Sequence, residues 1–177
     1  MSDVRIRPAE TGDIAAITRI YADAVGHGTA TFEIEPPDET EMARRQHALL
    51  AKNYPYVVAE RAGVIAGYAY AGPYHIRPAY RWSVEDSIYL APACQRQGLG
   101  RLLLERLIAD AQARGFRQMI GVIGDSANTA SIALHAAAGF RMIGTLQSVG
   151  FKHGRWLDTV LMQRSLGSGD ALPPDNI

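Results

Sequence analysis

The stretch "SIYLAPACQRQGLGRLLLERLIADAQARG", residues 87–115, joins an apolar strand to a leucine-rich helix through a turn with two glycines. Glycine loses more backbone entropy on folding than other residues, so Gly98 and Gly100 indicate that something approaches the main chain closely. The first amides of a helix have no partner within it and lie at the positive end of its dipole. We therefore expect a pyrophosphate against the amides of residues 96–101, with a plain strand-to-helix turn as the alternative.

Two well-known phosphate loops do not match this turn. A Walker loop requires Lys and then Ser or Thr after its last glycine, whereas Gly100 is followed by Arg101 and Leu102. A Rossmann turn requires a third glycine where this sequence has Leu103. If the turn binds phosphate, it belongs to another class.

Hydrophobic periodicity predicts an α/β domain around this stretch. The unit that runs from a strand over Trp82–Leu90, through the helix, to the strand "QMIGVI" predicts a right-handed parallel crossover. The other predicted elements are a strand "VRIR", helices in "TGDIAAITRIYADAV" and from Asp38 to about Lys52, a hairpin of "YVVAE" and "VIAGYAYAGPY", a helix closed by Gly139, and final strands "RMIGTLQSVGF" and "WLDTVLMQRS".

Composition narrows the class of protein. The chain has 177 residues, of which 47% are hydrophobic and 20% charged, so we expect one domain over residues 1–166 and a flexible tail over 167–177. Its 18 basic and 18 acidic residues produce no net field that would favour nucleic acid or an anionic membrane. The beginning "MSDVRIRPAE" has no signal-peptide pattern, and one cysteine, Cys94, provides neither a disulfide nor a zinc cluster. We expect a cytoplasmic protein without a bound metal.

Three segments in this order, "SVEDSIYLAPACQRQGLG", "SIALHAAAGF" and "VGFKHGRWLD", resemble the GNAT acetyltransferase superfamily. Within it they are similar to the phosphinothricin and methionine sulfoximine N-acetyltransferases, over roughly residues 4–166. The resemblance implies one domain with a mixed sheet of about seven strands, about four helices, and fourth and fifth strands that splay apart. It also implies a homodimer that transfers an acetyl group directly from acetyl-CoA to a small L-amino acid analogue. Another small amine, a protein N-terminus, and a non-catalytic CoA-binding module remain alternatives.

The resemblance assigns the binding of acetyl-CoA to three parts of the chain. The amide of Leu90 is expected to donate to the developing oxyanion. Asn128 is expected to contact CoA, although it also fits a plain helix cap. The complete set of expected cofactor contacts is Ile88, Tyr89, Leu90, Arg96, Gln97, Gly98, Leu99, Gly100, Arg101 and Asn128.

The same resemblance implies which side chains act as the general base and the general acid. Glu85 matches the base that takes the amine proton, with a solvated strand glutamate as the alternative. His135 stands where many family members have a tyrosine that protonates the CoA thiolate, and it is expected to act as acid or base. Tyr89 is the substitute acid. Because strand side chains alternate, Asp86 should point away from the Glu85 face.

The acceptor pocket is expected around "HIRPAYRW" and the strand that follows it. Arg77 or Arg81 can hold a carboxylate with two hydrogen bonds, which suits an amino acid, and Tyr80 and Trp82 can form walls of the pocket. Phe32 and one of Lys152 or His153, the latter two from either subunit, are further candidates. The expected substrate contacts are His75, Ile76, Arg77, Tyr80, Glu85, Asp86 and Ser87.

Overall fold

The computed structural model describes residues 4–174, which form a seven-stranded mixed sheet with helices on both faces. This confirms the predicted α/β class. The strands follow the order β1-β2-β3-β4-β5-β7-β6, and β4 and β5 are parallel while the other neighbours are antiparallel. The strands are β1 (Val4–Pro8), β2 (Tyr56–Arg61), β3 (Val64–Pro73), β4 (Ser83–Leu90), β5 (Gln118–Gly124), β6 (Arg141–Lys152) and β7 (Arg155–Ser165). The helices are α1 (Ile14–His27), α2 (Glu39–Leu50), α3 (Leu99–Ala113) and α4 (Thr129–Ala137).

The parallel strands β4 and β5 pair over only half of their length. Ser83–Asp86 lies against Gln118–Gly121, and the pairing stops there. Beyond that point β4 continues along β3, and β5 continues along β7. The edges of Ser87–Leu90 and Val122–Gly124 therefore face a gap, where their peptide groups are free to bind a ligand. This confirms the predicted splay of the fourth and fifth strands.

Each face of the sheet has its own apolar core. The α3 face packs Val84, Leu103 and Met119, with Leu90 at its border. The α1 face packs aromatic side chains against the helix, and Tyr89 borders this second core. Since consecutive strand residues alternate between faces, β4 sends Glu85 with Tyr89 to one face and Asp86 with Leu90 to the other.

The described part of the predicted tail forms hydrogen-bonded turns. The Gly169 amide donates to the Leu166 carbonyl, and the Ala171 amide donates to the Ser168 carbonyl, each at 2.9 Å. Residues 1–3 and 175–177 lie outside the described residues, so the flexibility of residues 167–177 stays a prediction. Within residues 4–174, no helix is long and apolar enough to cross a membrane.

Candidate active site

The turn before α3 exposes a row of backbone amides. Gly98 has φ of +80°, in the left-handed region that favours glycine, and an added Cβ there would meet nothing within 4 Å. The first bond of the helix runs from the Leu102 amide to the Gly98 carbonyl. Earlier amides have no helical acceptor and point out of the N-terminus, which makes the surface beside Gly98 suitable for an anion.

Gly100 serves a different purpose, which the sequence does not reveal. It is buried, and an added Cβ would lie 3.4 Å from the Leu134 side chain and 3.6 Å from the Leu90 side chain. These are ordinary van der Waals distances, so Gly100 lies in the packed interior against α4 and β4 and has no open space beside it. The room for an anion lies on the Gly98 side of the turn.

Some side chains around the turn hold it in place through hydrogen bonds, and others point to solvent. Gln97 accepts a hydrogen bond from Arg61 and donates to the Ala93 carbonyl at 2.8 Å, so its side chain braces the loop. Arg96 is exposed, and Arg101 pairs with Glu105 at 2.7 Å on the helix surface. Sequence reasoning missed Arg61, because its contact with Gln97 joins positions 36 residues apart.

Two adjoining cavities follow the gap between β4 and β5. One of about 50 Å³ lies between the splayed strands and reaches His135. The other, of about 580 Å³, opens toward the beginning of the α3 turn at Pro92 and Gln95. Ala30, Ile88, Tyr89 and Asn128 line both cavities. Their shared lining makes the gap continuous with the beginning of the loop before α3.

Asn128 lies at this junction and also caps a helix. Its side-chain oxygen accepts a hydrogen bond from the Ser131 amide at 3.2 Å, which stabilises the beginning of α4. Its place in the wall of both cavities keeps it available to a ligand. The two interpretations of Asn128 are therefore compatible.

The half-buried carboxyl of Glu85 has an unusual acidity. Burial, and then the charge of the neighbouring Asp86, raise the pKa of Glu85 to about 7. At neutral pH the carboxyl therefore exists partly in its protonated form and partly in its ionised form. A carboxylate with a pKa near the working pH is best suited to exchange protons with a substrate.

A cavity of about 330 Å³ lies on the same face of the sheet as Glu85, between the sheet and the helices α1 and α2. Tyr70, one of its lining residues, pairs across the sheet with Ser87, two residues from Glu85. The lining includes Tyr21, Tyr54, Tyr56, Tyr68 and Tyr70, with Arg44, Arg45 and Lys52 also contributing. Sequence analysis missed this cavity. The alternation of Tyr68 and Tyr70 on β3 could have indicated it, because the two side chains point to the same face of the sheet.

Asp86 and His135 form a buried pair on the opposite face. His135 Nε2 lies 2.9 Å from Asp86 Oδ2, and the two side chains are 5% and 2% exposed. Burial alone would lower the pKa of His135, but the hydrogen bond and charge of Asp86 outweigh it and raise the pKa overall. Asp86, expected among the substrate contacts, thus points toward α4, away from the face of Glu85.

The loop between β3 and β4 is exposed and contains a cluster of aromatic side chains. The ring of His75 lies 4.1 Å from that of Tyr74 and 4.8 Å from that of Tyr80, centroid to centroid. Ile76 is 97% exposed, and Arg77 is exposed beside it. These expected substrate contacts therefore present their side chains to solvent, on an outer rim rather than in the buried site.

The loop between α1 and α2 is held in place from the other end of the sheet. Lys152 at the end of β6 is buried, and its Nζ donates to the Thr31 carbonyl at 2.9 Å. The Thr31 hydroxyl lies 2.9 Å from that of Tyr21. At Gly124 an added Cβ would fall 2.3 Å from the Thr29 carbonyl oxygen, so the loop passes directly over β5. Lys152 thus fixes the loop that supplies Ala30 to both cavities.

Lys152→Met should lower the free energy of unfolding by about 1–3 kcal/mol, because the buried Thr31 carbonyl loses its donor while the side-chain volume is kept. Urea denaturation of the variant and parent measures this loss. Lys52→Met, at an exposed position just after α2, is the control and should change stability little. Equal midpoints for the parent and the Lys152 variant would show that this contact contributes nothing.

The family model described as an acetyltransferase (GNAT) domain matches residues 6–161, and the chain belongs to this family. Across residues 4–174, no group of three or more His, Cys, Asp or Glu side chains could hold a metal ion.

Individual relatives agree with this assignment. The chain is 54% identical to the phosphinothricin N-acetyltransferase of Alcaligenes faecalis, over 96% of this chain and 86% of the relative. It is 42% identical to the L-methionine sulfoximine/L-methionine sulfone acetyltransferase of Salmonella typhimurium, over 91% of this chain and 94% of the relative. A crystal structure of a phosphinothricin acetyltransferase from Sinorhizobium meliloti with acetyl-CoA superposes with a TM-score of 0.96 at 49% identity, over 99% and 95% of the two chains.

Proposed function

We propose that this protein transfers the acetyl group of acetyl-CoA to the amine of a small L-amino acid analogue such as phosphinothricin or methionine sulfoximine. The observation that carries the proposal is the position of Glu85. Its carboxyl, with a pKa raised to about 7, lies on β4, and the loop after this strand leads to the exposed amides beside Gly98. The relatives from Alcaligenes faecalis and Salmonella typhimurium, which carry these activities in their names, support the choice of acceptor.

The splayed strand offers peptide groups of the kind that acetyl-CoA requires. The Ala91 amide donates to the Ala66 carbonyl of β3 at 2.9 Å. Hydrogen-bonding direction alternates along a strand, so the amides of Ile88 and Leu90 point away from β3, into the gap. We assign the Leu90 amide to the developing negative charge on the thioester oxygen, and the amides of residues 96–101 to the pyrophosphate.

The acceptor amine must lose a proton before it can attack the thioester, because an ordinary α-ammonium is mostly protonated at neutral pH. Glu85 takes that proton, directly or through water. The nitrogen of the amine then forms a bond to the acetyl carbon and loses its second proton to solvent, and the bond from that carbon to sulfur breaks. The sulfur leaves as a thiolate that needs a proton, for which His135 and Tyr89 are the candidate donors.

A screen of acetyl-CoA turnover tests the proposal directly. Phosphinothricin, methionine sulfoximine, common free amino acids and polyamines are compared at equal concentration by the release of CoA thiol. We expect the highest kcat/KM for the first two compounds. Equal or faster turnover of polyamines, or no turnover of any acceptor, would contradict the choice of substrate class.

We also propose that the protein is a homodimer formed through β6 and β7. These strands expose apolar side chains that a monomer would leave in water: Met142, Ile143, Leu146, Val149, Phe151 and Trp156. Phe151 and Trp156 contact each other edge to face, with ring centroids 5.3 Å apart, which gives the patch an aromatic centre.

Light scattering at micromolar concentration should give twice the monomer mass for the parent chain. Replacing both Phe151 and Trp156 with Glu should reduce the mass to that of a monomer, because the charges would be buried unpaired in the interface. The control Ile76→Glu changes a fully exposed residue on another loop and should leave the dimer intact. A monomeric parent would overturn the assignment.

We also propose that this reaction takes place in the cytoplasm. The one thiol of the sequence, Cys94, has no cysteine with which to pair, which is typical of proteins kept in a reducing compartment.

A further inference from the structure

The ring of His135 has both nitrogens engaged with oxygen atoms. Nδ1 lies 2.7 Å from the backbone carbonyl oxygen of Ser131, one turn earlier on α4. Nε2 lies 2.9 Å from Asp86 Oδ2. A carbonyl oxygen can only accept a hydrogen bond, so the hydrogen of that contact must sit on Nδ1.

The contact between Nε2 and Asp86 then requires a second proton. Without it, the lone pair of Nε2 would face a carboxylate oxygen at hydrogen-bond distance in a site almost closed to water. The proton can sit on Nε2, as an imidazolium beside a carboxylate, or on Asp86, as a carboxylic acid beside a neutral ring. In either arrangement the pair holds one proton more than a neutral histidine beside an ionised aspartate.

We propose that Asp86 is a positioning residue that orients His135 and stabilises the extra proton of the pair, so that the pair serves as a proton donor in the acetyl transfer. This inference rests on the proposed function and deepens it. A ring whose nitrogens both lack a free lone pair cannot accept the amine proton. The role of base is therefore left to Glu85, on the other face of β4.

The pair lies where a proton donor is needed. It lines the cavity of about 50 Å³ between the splayed strands, beside Ile88 and Val122. Asp86 Oδ1 is buried and has no hydrogen-bond partner among the described side chains and backbone, so a second polar atom can bind there. The leaving sulfur of CoA emerges in the same gap if the thioester oxygen faces the Leu90 amide.

The protons balance over a cycle. The pair gives its proton to the thiolate, so that an S–H bond forms and the N–H bond of Nε2, or the O–H bond of Asp86, breaks. Glu85 meanwhile has gained the proton of the amine. Once the C–N bond has formed, the nitrogen loses its second proton to solvent and becomes an amide. The cycle closes when Glu85 releases its proton to solvent and the pair takes one back, so that one proton is released for each ammonium acetylated.

Tyr89 is the weaker candidate for this step. Burial, and then nearby tyrosines, raise the pKa of its phenol well above the usual value. Tyr89 also lines the cavity of about 50 Å³, but its ring packs with Tyr21 on the α1 side of the sheet, whereas His135 lies on the opposite side. A less acidic group at the wrong face donates a proton poorly.

Among residues 4–174, Asp86 is the charged group whose hydrogen bond and charge act on His135. From β4, Asp86 faces the ring, whereas Glu85 points to the opposite face of the sheet. From β5, Gly121 packs against the ring and has no side chain to titrate. Behind α4, the ring of Phe140 contacts it edge to face at 5.0 Å. Loss of the proton at high pH should therefore report the pair formed by His135 and Asp86.

Asp86→Asn tests the inference, because the amide keeps the shape and can donate to a neutral Nε2. We expect kcat to fall about 10-fold or more and the alkaline limb of its pH profile to move to lower pH. Affinity for acetyl-CoA should not change, and the acidic limb should move to lower pH, because the variant lacks the Asp86 charge that helps raise the pKa of Glu85. In NMR spectra of ¹⁵N-histidine protein at pH 7, His135 of the variant should carry a proton on Nδ1 alone.

Asp13→Asn is the matched control, since Asp13 is also buried and paired with a cation, but that cation is Arg7 on β1, three strands away from β4 in the sheet. It should keep the parent kcat and pH profile. A parent that turns over no acceptor refutes the proposed function itself. A parent that is active while Asp86→Asn retains kcat within threefold and the same alkaline limb overturns only the inference.

A second measurement decides the matter if Asp86→Asn fails to fold. In the parent, the ¹⁵N signals of His135 and the ¹³C signal of the Asp86 carboxyl together locate the shared proton at pH 7. A proton on Nε2 or on the carboxyl supports the inference. An unprotonated Nε2 beside an ionised Asp86 overturns it.

Discussion

Glu85→Gln should lower kcat by about 10²–10⁴, the range typical of a lost general base, while acetyl-CoA affinity stays within about twofold of the parent. Glutamine keeps the shape of the side chain and cannot take the amine proton. Steady-state kinetics with methionine sulfoximine, and calorimetry with acetyl-CoA, measure the two effects separately.

The stability of this variant distinguishes a catalytic role from a structural one. Burial raises the pKa of Glu85 above its ordinary value, so the folded protein disfavours the charged form at pH 8. Removing that charge should leave the free energy of unfolding at pH 8 equal to that of the parent or higher. The control Glu60→Gln changes another half-buried strand glutamate, paired with Arg7, and should leave kcat unchanged. Turnover by Glu85→Gln within threefold of the parent would remove Glu85 from the mechanism.

Gly98→Asn should weaken acetyl-CoA binding about 10-fold or more, which corresponds to about 1.4 kcal/mol. Asparagine tolerates the left-handed backbone that Gly98 adopts at φ of +80°. Its side chain would extend into the open space beside the amides, where we place the pyrophosphate. Calorimetry with CoA measures the change in Kd.

Gly115→Asn provides the matched control for this variant. Gly115 follows the same helix at its other end, has φ of +84°, and also has nothing within 4 Å of an added Cβ. Both variants carry a similar backbone strain, so urea denaturation should give similar losses of stability. Only Gly98→Asn should change the Kd. An unchanged Kd in the Gly98 variant would remove the pyrophosphate from this turn.

Most of the fold could be predicted from local sequence patterns. The alternation of β4, the glycine turn and the leucine spacing of α3 follow one another along the chain, so each is visible within a window of about 15 residues. The same alternation is enough to assign Glu85 and Asp86 to opposite faces of β4. The splay of β4 and β5 came from family resemblance, because the register at which two strands part depends on their neighbours β3 and β7.

The parts of the site that sequence reasoning missed depend on distant contacts. Lys152 was a candidate for the acceptor, yet it holds the Thr31 carbonyl, 121 residues away in the chain. The bond between Asp86 and His135 joins residues 49 apart on different elements. Gly100 was grouped with Gly98, but only the packing of α4 on α3 reveals its different surroundings. Such contacts arise from tertiary packing, and the hydrophobic periodicity of the sequence does not predict them.

The pH dependence of kcat/KM for methionine sulfoximine, measured in the parent and in Glu85→Gln, tests the central claim most directly. The carboxyl of Glu85 has its pKa raised to about 7, so as the pH falls through 7 the parent should lose activity because its base becomes protonated. The variant should lack this acidic limb and regain part of its rate at higher pH, where more of the amine is free. The same limb near pH 7 in both proteins would contradict the assignment of Glu85 as the base.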